Sequence, residues 1–196
     1  MLKGIDFLNA EAQILSPEEL KADSQIIKTK FILIATGSKP FELKEVKFDE
    51  KKVISSDDIL NLKEVPRSLL IIGGGVIGCE FAGLFSILGS QVSVVEKMPQ
   101  LLPGMDKEVA RKLEAIFKKK GIKVNINTDA TAIELSNYDL VLLCVGRIPS
   151  FGGLGLEKLG IGLEKGRIIV DKYLTTSIPN IYAAGDCTAK TMLAHF

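Results

Sequence analysis

The stretch Gly73-Gly74-Gly75-Val76-Ile77-Gly78 follows the apolar run Leu69-Leu70-Ile71-Ile72 and opens a second apolar run that reaches Leu88. This order constrains the chain more than any other feature: an apolar strand must stop, turn on glycines and enter a helix. The glycines at 73, 75 and 78 fit the pattern G-x-G-x-x-G. Each answers a separate physical need, in that Gly73 permits the tight turn, Gly75 lets backbone approach a pyrophosphate, and Gly78 allows close packing of helix on strand. A diphosphate placed there meets the positive end of the helix at Val76 and Ile77. The next strand candidate, Gln91 to Val95, ends in Glu96, at about the 20-residue interval at which a dinucleotide site carries its ribose acceptor. A carboxylate there repels a 2′-phosphate, so NAD is favoured over NADP. The competing readings are a packing turn and a solvated Glu96 beside Lys97.

Composition narrows the remaining classes. Lys and Arg number 25 and Asp and Glu 24, a net charge of +1, so the basic footprint of a nucleic-acid binder is missing. Lys118-Lys119-Lys120 reads instead as the cationic last turn of a helix stopped by Gly121. No apolar run approaches the roughly 18 residues of a membrane span, and Met1-Leu2-Lys3-Gly4 does not begin a signal peptide. A soluble cytoplasmic protein is the expectation. Cys79, Cys144 and Cys187 are far apart in apolar or small-residue surroundings, which argues against a disulfide framework or a metal site.

Along the chain, short alternating pieces at Ile5–Phe7, Ala12–Ile14 and Ile26–Lys28 predict a small antiparallel meander. Phe31 to Ala35 predicts an apolar strand stopped by Thr36-Gly37-Ser38-Lys39-Pro40. Residues 41–65 read as a connector, with Ser55-Ser56-Asp57 as the N-cap of a short helix to about Leu62. The helix from Val76 to Leu88 is apolar nearly all round, as in a buried helix. Asp106 caps a second helix that sets Val109, Leu113, Ile116 and Phe117 on one face, and Gly121 closes it. Strands at Ile122–Ile126 and Leu140–Val145 complete an alternation of strand and helix that predicts an α/β fold with a parallel, doubly wound sheet. An internal echo links Phe31 to Pro40 with Leu140 to Pro149. Both are an apolar strand followed by G-x-x-P, which suggests two related dinucleotide domains interleaved in one chain.

These residues resemble a known family. Gly73 to Glu80, Ala35-Thr36-Gly37, Gly146-Arg147-Ile148-Pro149, Ile178 to Asp186 and Met192-Leu193-Ala194-His195 together resemble the flavin-dependent disulfide reductases, most closely their dihydrolipoyl dehydrogenase branch. The resemblance implies four segments: residues 1–40 as the rear of an FAD domain, 41–65 as connector, 66–148 as a Rossmann-like NAD domain, and 149–196 as the returning FAD segment. It implies a parent reaction in which dihydrolipoamide is oxidised and electrons pass through a cysteine pair and FAD to NAD. It also implies a homodimeric parent that serves 2-oxo acid dehydrogenase complexes. The family's N-terminal FAD glycine motif, its C-x-x-x-x-C pair and its His-Glu pair have no counterpart here. The chain is therefore expected to be a piece of such an enzyme, without turnover and monomeric. Between Asp129 and Asp139 the family carries a longer antiparallel meander than this sequence can supply.

By the same resemblance, Gly146 and Arg147 lie along NAD, while Thr36, Gly37, Asp186, Met192, Leu193 and Ala194 contact FAD, with Asp186 on the ribitol. Simple turn chemistry is the plain alternative for Thr36, Gly37 and Arg147, and an Asx turn or helix cap for Asp186. Glu80 is the sole charge in its helix, and an unpaired carboxylate there must reach water, a helix-end donor or a cation. The family pairs the matching Glu with a Lys beside the flavin. That Lys is absent from this sequence, so Glu80 is expected to be orphaned, either solvated or with its pKa raised. His195, the only histidine, is read as structural, and Cys187, without a resolving partner, is not read as a reactive thiol. Two other readings stay open: a standalone NAD(H)-binding or sensing module without chemistry, and a piece of a related NADH oxidase or disulfide reductase.

Overall fold

The structure, a computed structural model, describes residues 4–188 and Met192. Its chain forms two compact units. One comprises residues 1–39 and 148–196, the other residues 40–147.

In chain order the first unit begins with β1 (Ala12–Ser16), β2 (Glu19–Ala22) and β3 (Gln25–Lys28), followed by β4 (Ile32–Ile34) and β5 (Ser38–Pro40). β1, β2 and β3 form the expected antiparallel meander. Its middle strand is Glu19–Ala22, whereas Ile5–Phe7 lies outside any strand and is exposed. An alternating pattern alone cannot hold such a segment to a sheet that offers it no edge partner.

The second unit contains β6 (Val53–Ile54), β7 (Ser68–Ile72), α1 (Val76–Ile87), β8 (Gln91–Val95), α2 (Lys107–Lys119), β9 (Lys123–Asn125) and β10 (Leu140–Leu143). These strands make one parallel sheet in the order β6-β10-β7-β8-β9. The chain steps outward from β7 to β9, then returns past β7 to β10. The strand order therefore reverses at β7, and the glycine turn leaves the sheet at that point, where open α/β sheets form their ligand crevice. The stretch 41–65, read as a connector, supplies the edge strand β6 and a 3-10 turn at Ile59–Asn61 in place of a short helix.

Alternation within the central strands divides the core. Leu69, Ile71, Leu140 and Leu142 face one side with Cys79, Ala82 and Phe85 of α1 and Phe117 of α2. Leu70, Ile72, Val141 and Leu143 face the other with Val46 and Ala130, flanked by Leu43, Phe48, Ile133 and Tyr138. Both helices thus pack on one face, and irregular segments cover the second. The segment from Asp129 to Asp139 crosses as two 3-10 turns, Ala130–Ala132 and Leu135–Asn137.

α2 corrects one expectation. Asp106 caps it as predicted, accepting from the Glu108 and Val109 amides. The inward stripe, however, is buried Ala110 and Phe117 with partly buried Leu113 between them, an i, i+3, i+7 line. Val109 and Ile116 flank it and stay half exposed. Small Ala110 lets the helix axis approach the sheet, and that rotates the stripe away from the larger apolar side chains.

β11 (Arg147–Pro149) begins on the last residue of the second unit, and the first unit continues with β12 (Leu163–Glu164), β13 (Arg167–Ile168) and β14 (Ile181–Ala183). β12 and β13 form a short hairpin, and β14 pairs in parallel with β4. Ile32, Ile34, Ile181 and Ala183 are buried with Leu156, Ile168 and Cys187, whereas Leu33 on the opposite face of β4 is 63% exposed. Among the described residues no helix is long and apolar enough to cross a membrane.

Two glycines of α1 differ in their room for a side chain. A Cβ at Gly78 would lie 1.9 Å from the Gly73 carbonyl oxygen, whereas one at Gly83, later in the same helix, would meet nothing within 4 Å. Gly78→Ala is expected to cost about 1–3 kcal/mol by overpacking. Gly83→Ala should be neutral or stabilising by up to about 1 kcal/mol. Urea denaturation of the two variants checks this, and equal stability of both would contradict the close approach.

Candidate functional site

The glycine turn is built by mutual exclusion. Gly73 has φ of +111°, and a Cβ on it would sit 2.5 Å from the Cys144 carbonyl oxygen. Gly73 and Gly78 are thus fixed by packing. Gly75 differs, because nothing lies within 4 Å of the place its Cβ would take. It is the N-cap of α1 and has no side-chain cap of its own. The amide of Gly75 also has no hydrogen-bond partner among the described residues. An open side, an unclaimed N–H and the positive end of a helix suit an anion. Val76 and Ile77 follow in the first turn, with Val76 half exposed.

Glu96 stands at the end of β8 and is 8% exposed. Its Oε2 accepts from the Gly74 amide at 2.6 Å and its Oε1 from the Met98 amide at 2.7 Å. A carboxylate offers about four lone-pair sites, so acceptor capacity remains on both oxygens. Neighbouring Lys97 is turned to Asp129 at 3.0 Å. The carboxyl of Asp129 is held down at about 2, chiefly by the Thr131 amide and then by Lys97.

Glu80 is exposed and no cation pairs with it among the described residues. Of the two forms expected of an orphaned carboxylate, the solvated one holds. Gly146, φ +131°, is exposed and its carbonyl accepts from the Phe41 amide. Arg147 is committed within its own unit. Its Nη1 donates to Asp57 Oδ1 at 2.7 Å and Ser56 Oγ at 3.1 Å, and its Nη2 to Asp57 Oδ2 at 3.3 Å. That fork fixes the guanidinium on the 56–57 segment.

In the other unit, parallel pairing of β4 and β14 brings their carboxyl ends side by side. Thr36 and Gly37 follow β4, and Asp186 follows β14 in a 3-10 turn, Gly185–Thr188. Ser38 Oγ donates to Asp186 Oδ2 at 2.5 Å, and the Gly37 carbonyl accepts from the Ser150 amide. Thr36 lines a cavity of about 660 Å³ with Ala10, Glu11, Gln13, Asp23 and Phe151. Met192 is 38% exposed, and Leu193, Ala194 and His195 lie outside the described residues.

Two features escaped sequence reasoning. Gly74 is as constrained as Gly73, because a Cβ there would lie 2.6 Å from Leu101 Cδ2. Its identity was legible only as one more glycine in the run. Beneath the turn, Cys79 Sγ donates to the Gly74 carbonyl at 3.3 Å, and Cys144 Sγ lies 3.5 Å from the carbonyls of Ile72 and Gly73. Burial pushes the Cys79 thiol up to about 11, with the Leu102 amide opposing and the Glu96 and Glu80 carboxylates adding. Burial, then Cys79 and Glu96, pushes Cys144 up to about 12. Cys187 is fully buried.

All 196 residues match the family model described as pyridine nucleotide-disulphide oxidoreductase. The chain is 39% identical over 218 aligned positions to dihydrolipoamide dehydrogenase of Chaetomium thermophilum, covering 98% of the chain and 43% of that protein. It is 37% identical to dihydrolipoyl dehydrogenase of Bacillus subtilis, covering 97% and 46%. Among solved structures, the flavoprotein disulfide reductase RclA from Escherichia coli superposes with a TM-score of 0.87 at 28% identity, over 97% of this chain and 47% of that one. The chain spans less than half the length of these relatives. The first alignment is longer than the chain, so that relative carries residues between matched segments that this chain lacks.

The raised thiol values set a pH dependence. A thiol with a folded pKa above its ordinary 9.0 favours the folded state in full below about pH 9, and that contribution is lost as pH rises towards 11 and 12. At pH 8 iodoacetamide should leave Cys79 and Cys144 unmodified in the folded protein and alkylate both in urea, as read by peptide mass spectrometry. Rapid labelling of either without unfolding would contradict their burial.

Proposed function

The chain belongs to the pyridine nucleotide-disulphide oxidoreductase family, and we propose that it is the NAD-binding region, with parts of the FAD domain, of a dihydrolipoyl dehydrogenase-type enzyme. The observation that carries the reading is the Gly75 amide, without a hydrogen-bond partner among the described residues at the head of α1, with the Glu96 carboxylate one strand away. In this reading residues 66–148 take the dinucleotide. Gly75, Val76 and Ile77 offer amides to its diphosphate. Glu96, already holding the Gly74 and Met98 amides, accepts from the adenosine ribose hydroxyls with its remaining lone pairs.

The residues on the FAD side fit a flavin nucleotide in part. Thr36, Gly37 and Asp186 gather at one edge of the β4 and β14 pair, and the cavity lined by Thr36 and Asp23 lies in the same unit. Asp186, oriented by the Ser38 hydroxyl, supplies an acceptor for a polyol hydroxyl. When bound, a flavin relays a pair of electrons between a thiol pair and nicotinamide. The chain's own share is to bind and orient the two nucleotides. Its three cysteines are single and buried, so no thiol here serves as the disulfide partner. The parent reaction, oxidation of dihydrolipoamide by NAD, service in 2-oxo acid dehydrogenase complexes and a cytoplasmic location belong to the same proposal.

Titration with NAD, NADP and FAD under calorimetric readout tests the reading. NAD is expected to bind, and NADP more weakly by at least tenfold because of the Glu96 charge. Glu96→Ala should weaken NAD by about 1–3 kcal/mol. Equal binding of NADP would remove the role given to Glu96. Flavin absorbance in the purified protein would exclude a module that binds NAD alone.

A further inference from the structure

Leu102 has φ of +50°, in the left-handed region that a residue with a branched side chain rarely occupies. Such a conformation persists only where surrounding contacts over-determine it, and these contacts point at the glycine turn. The Leu102 amide donates to the Gly74 carbonyl at 2.7 Å, and the Leu102 carbonyl accepts from Met105 at 3.0 Å. Leu101 is fully buried against Gly74, and its amide is 3.3 Å from Glu114 Oε1 of α2. Met98 is tied at both ends, its amide to Glu96 and its carbonyl to the Asn127 amide.

The chain has no cis peptide among the described residues. In a planar trans peptide the carbonyl of Gly74 and the amide of Gly75 point in opposite directions. The Gly74 carbonyl is held inward by the Leu102 amide and the Cys79 thiol. The Gly75 amide is thereby turned away from Leu102 and Cys79, and it has no hydrogen-bond partner among the described residues. Free rotation of this peptide between glycines would otherwise cost little, since glycine accepts either orientation.

We propose that residues 98–105 form a positioning strap, in which the Leu102 amide fixes the Gly74–Gly75 peptide and aims the Gly75 N–H at the diphosphate. This rests on the dinucleotide reading of the same turn. Leu102 is a positioning residue that acts through Gly74 without touching ligand. Its strained backbone keeps the amide on the Gly74 carbonyl while Leu101 enters the core.

The test compares Leu102→Pro, which lacks the donor and cannot adopt positive φ, with Leu102→Gly, which keeps both. Binding of NAD and of adenosine is measured for the full chain. Leu102→Pro is expected to bind NAD at least tenfold more weakly while its adenosine affinity stays within about twofold, and Leu102→Gly to bind NAD within about threefold of the unaltered chain. Unchanged NAD affinity in Leu102→Pro, or a parallel loss of adenosine, overturns the strap but leaves the dinucleotide reading standing. An unaltered chain that does not bind NAD overturns that reading and the strap with it. If Leu102→Pro does not fold, 15N spectra of the unaltered chain titrated with inorganic pyrophosphate decide. The Gly75 amide should shift the most, and an unmoved Gly75 resonance overturns the proposal.

Discussion

The second unit depends on one close approach: the first turn of α1 rests against the carbonyl of Gly73 so tightly that residue 78 has no room for a Cβ. That contact sets the height of α1 above the sheet. Cys79, Ala82 and Phe85 then reach the layer of Leu69, Ile71 and Leu142, and the head of the helix falls at the switch in strand order. If α1 were lifted by the width of a methyl group, both the packed layer and the placement of the Gly75 amide would be lost together. Stability and ligand geometry are here the same constraint.

Around this contact the turn is held from every side by groups distant in sequence. Glu96 takes the Gly74 amide, Leu102 and Cys79 take its carbonyl, and Val95 accepts from the Gly73 amide at 2.8 Å. With its amide and carbonyl both bonded, Gly74 is held in one orientation. The turn therefore presents the Gly75 donor in a prepared direction, beside the first-turn amides of Val76 and Ile77, and none of its order has to be created on binding.

Much of this was legible in the sequence because it is local. The glycine spacing, the terminal Glu96, the Asp106 cap and the unbroken apolar runs of β7 and β10 each declare themselves within a few residues. What could not be read depends on tertiary neighbours. Burial on α2 follows Ala110 and not Val109, since closeness to the sheet, and not hydrophobicity, decides the stripe. The Arg147 fork joins residues 90 positions apart in sequence, and the charge pattern of neither segment reveals the other. The partner of Ser38 is Asp186, 148 residues away. Leu102 carries no mark in sequence of its left-handed backbone, as Gly or Asn would. In the first unit, Ile5–Phe7 shows the opposite error, a local pattern with no partner strand to satisfy it.

The pairing of β4 with β14 joins Ile32–Ile34 to residues some 150 positions later, with the whole of the second unit inserted between them. The inserted unit is continuous and finds every one of its strand partners within residues 53–143. During synthesis it can close its core while the last strand of the first unit has yet to emerge. Once folded, it shortens the loop that β4 and β14 must close, because its interior residues no longer contribute conformational entropy. The topology thus allows an order of assembly in which the inserted unit closes first and the discontinuous one is joined across it.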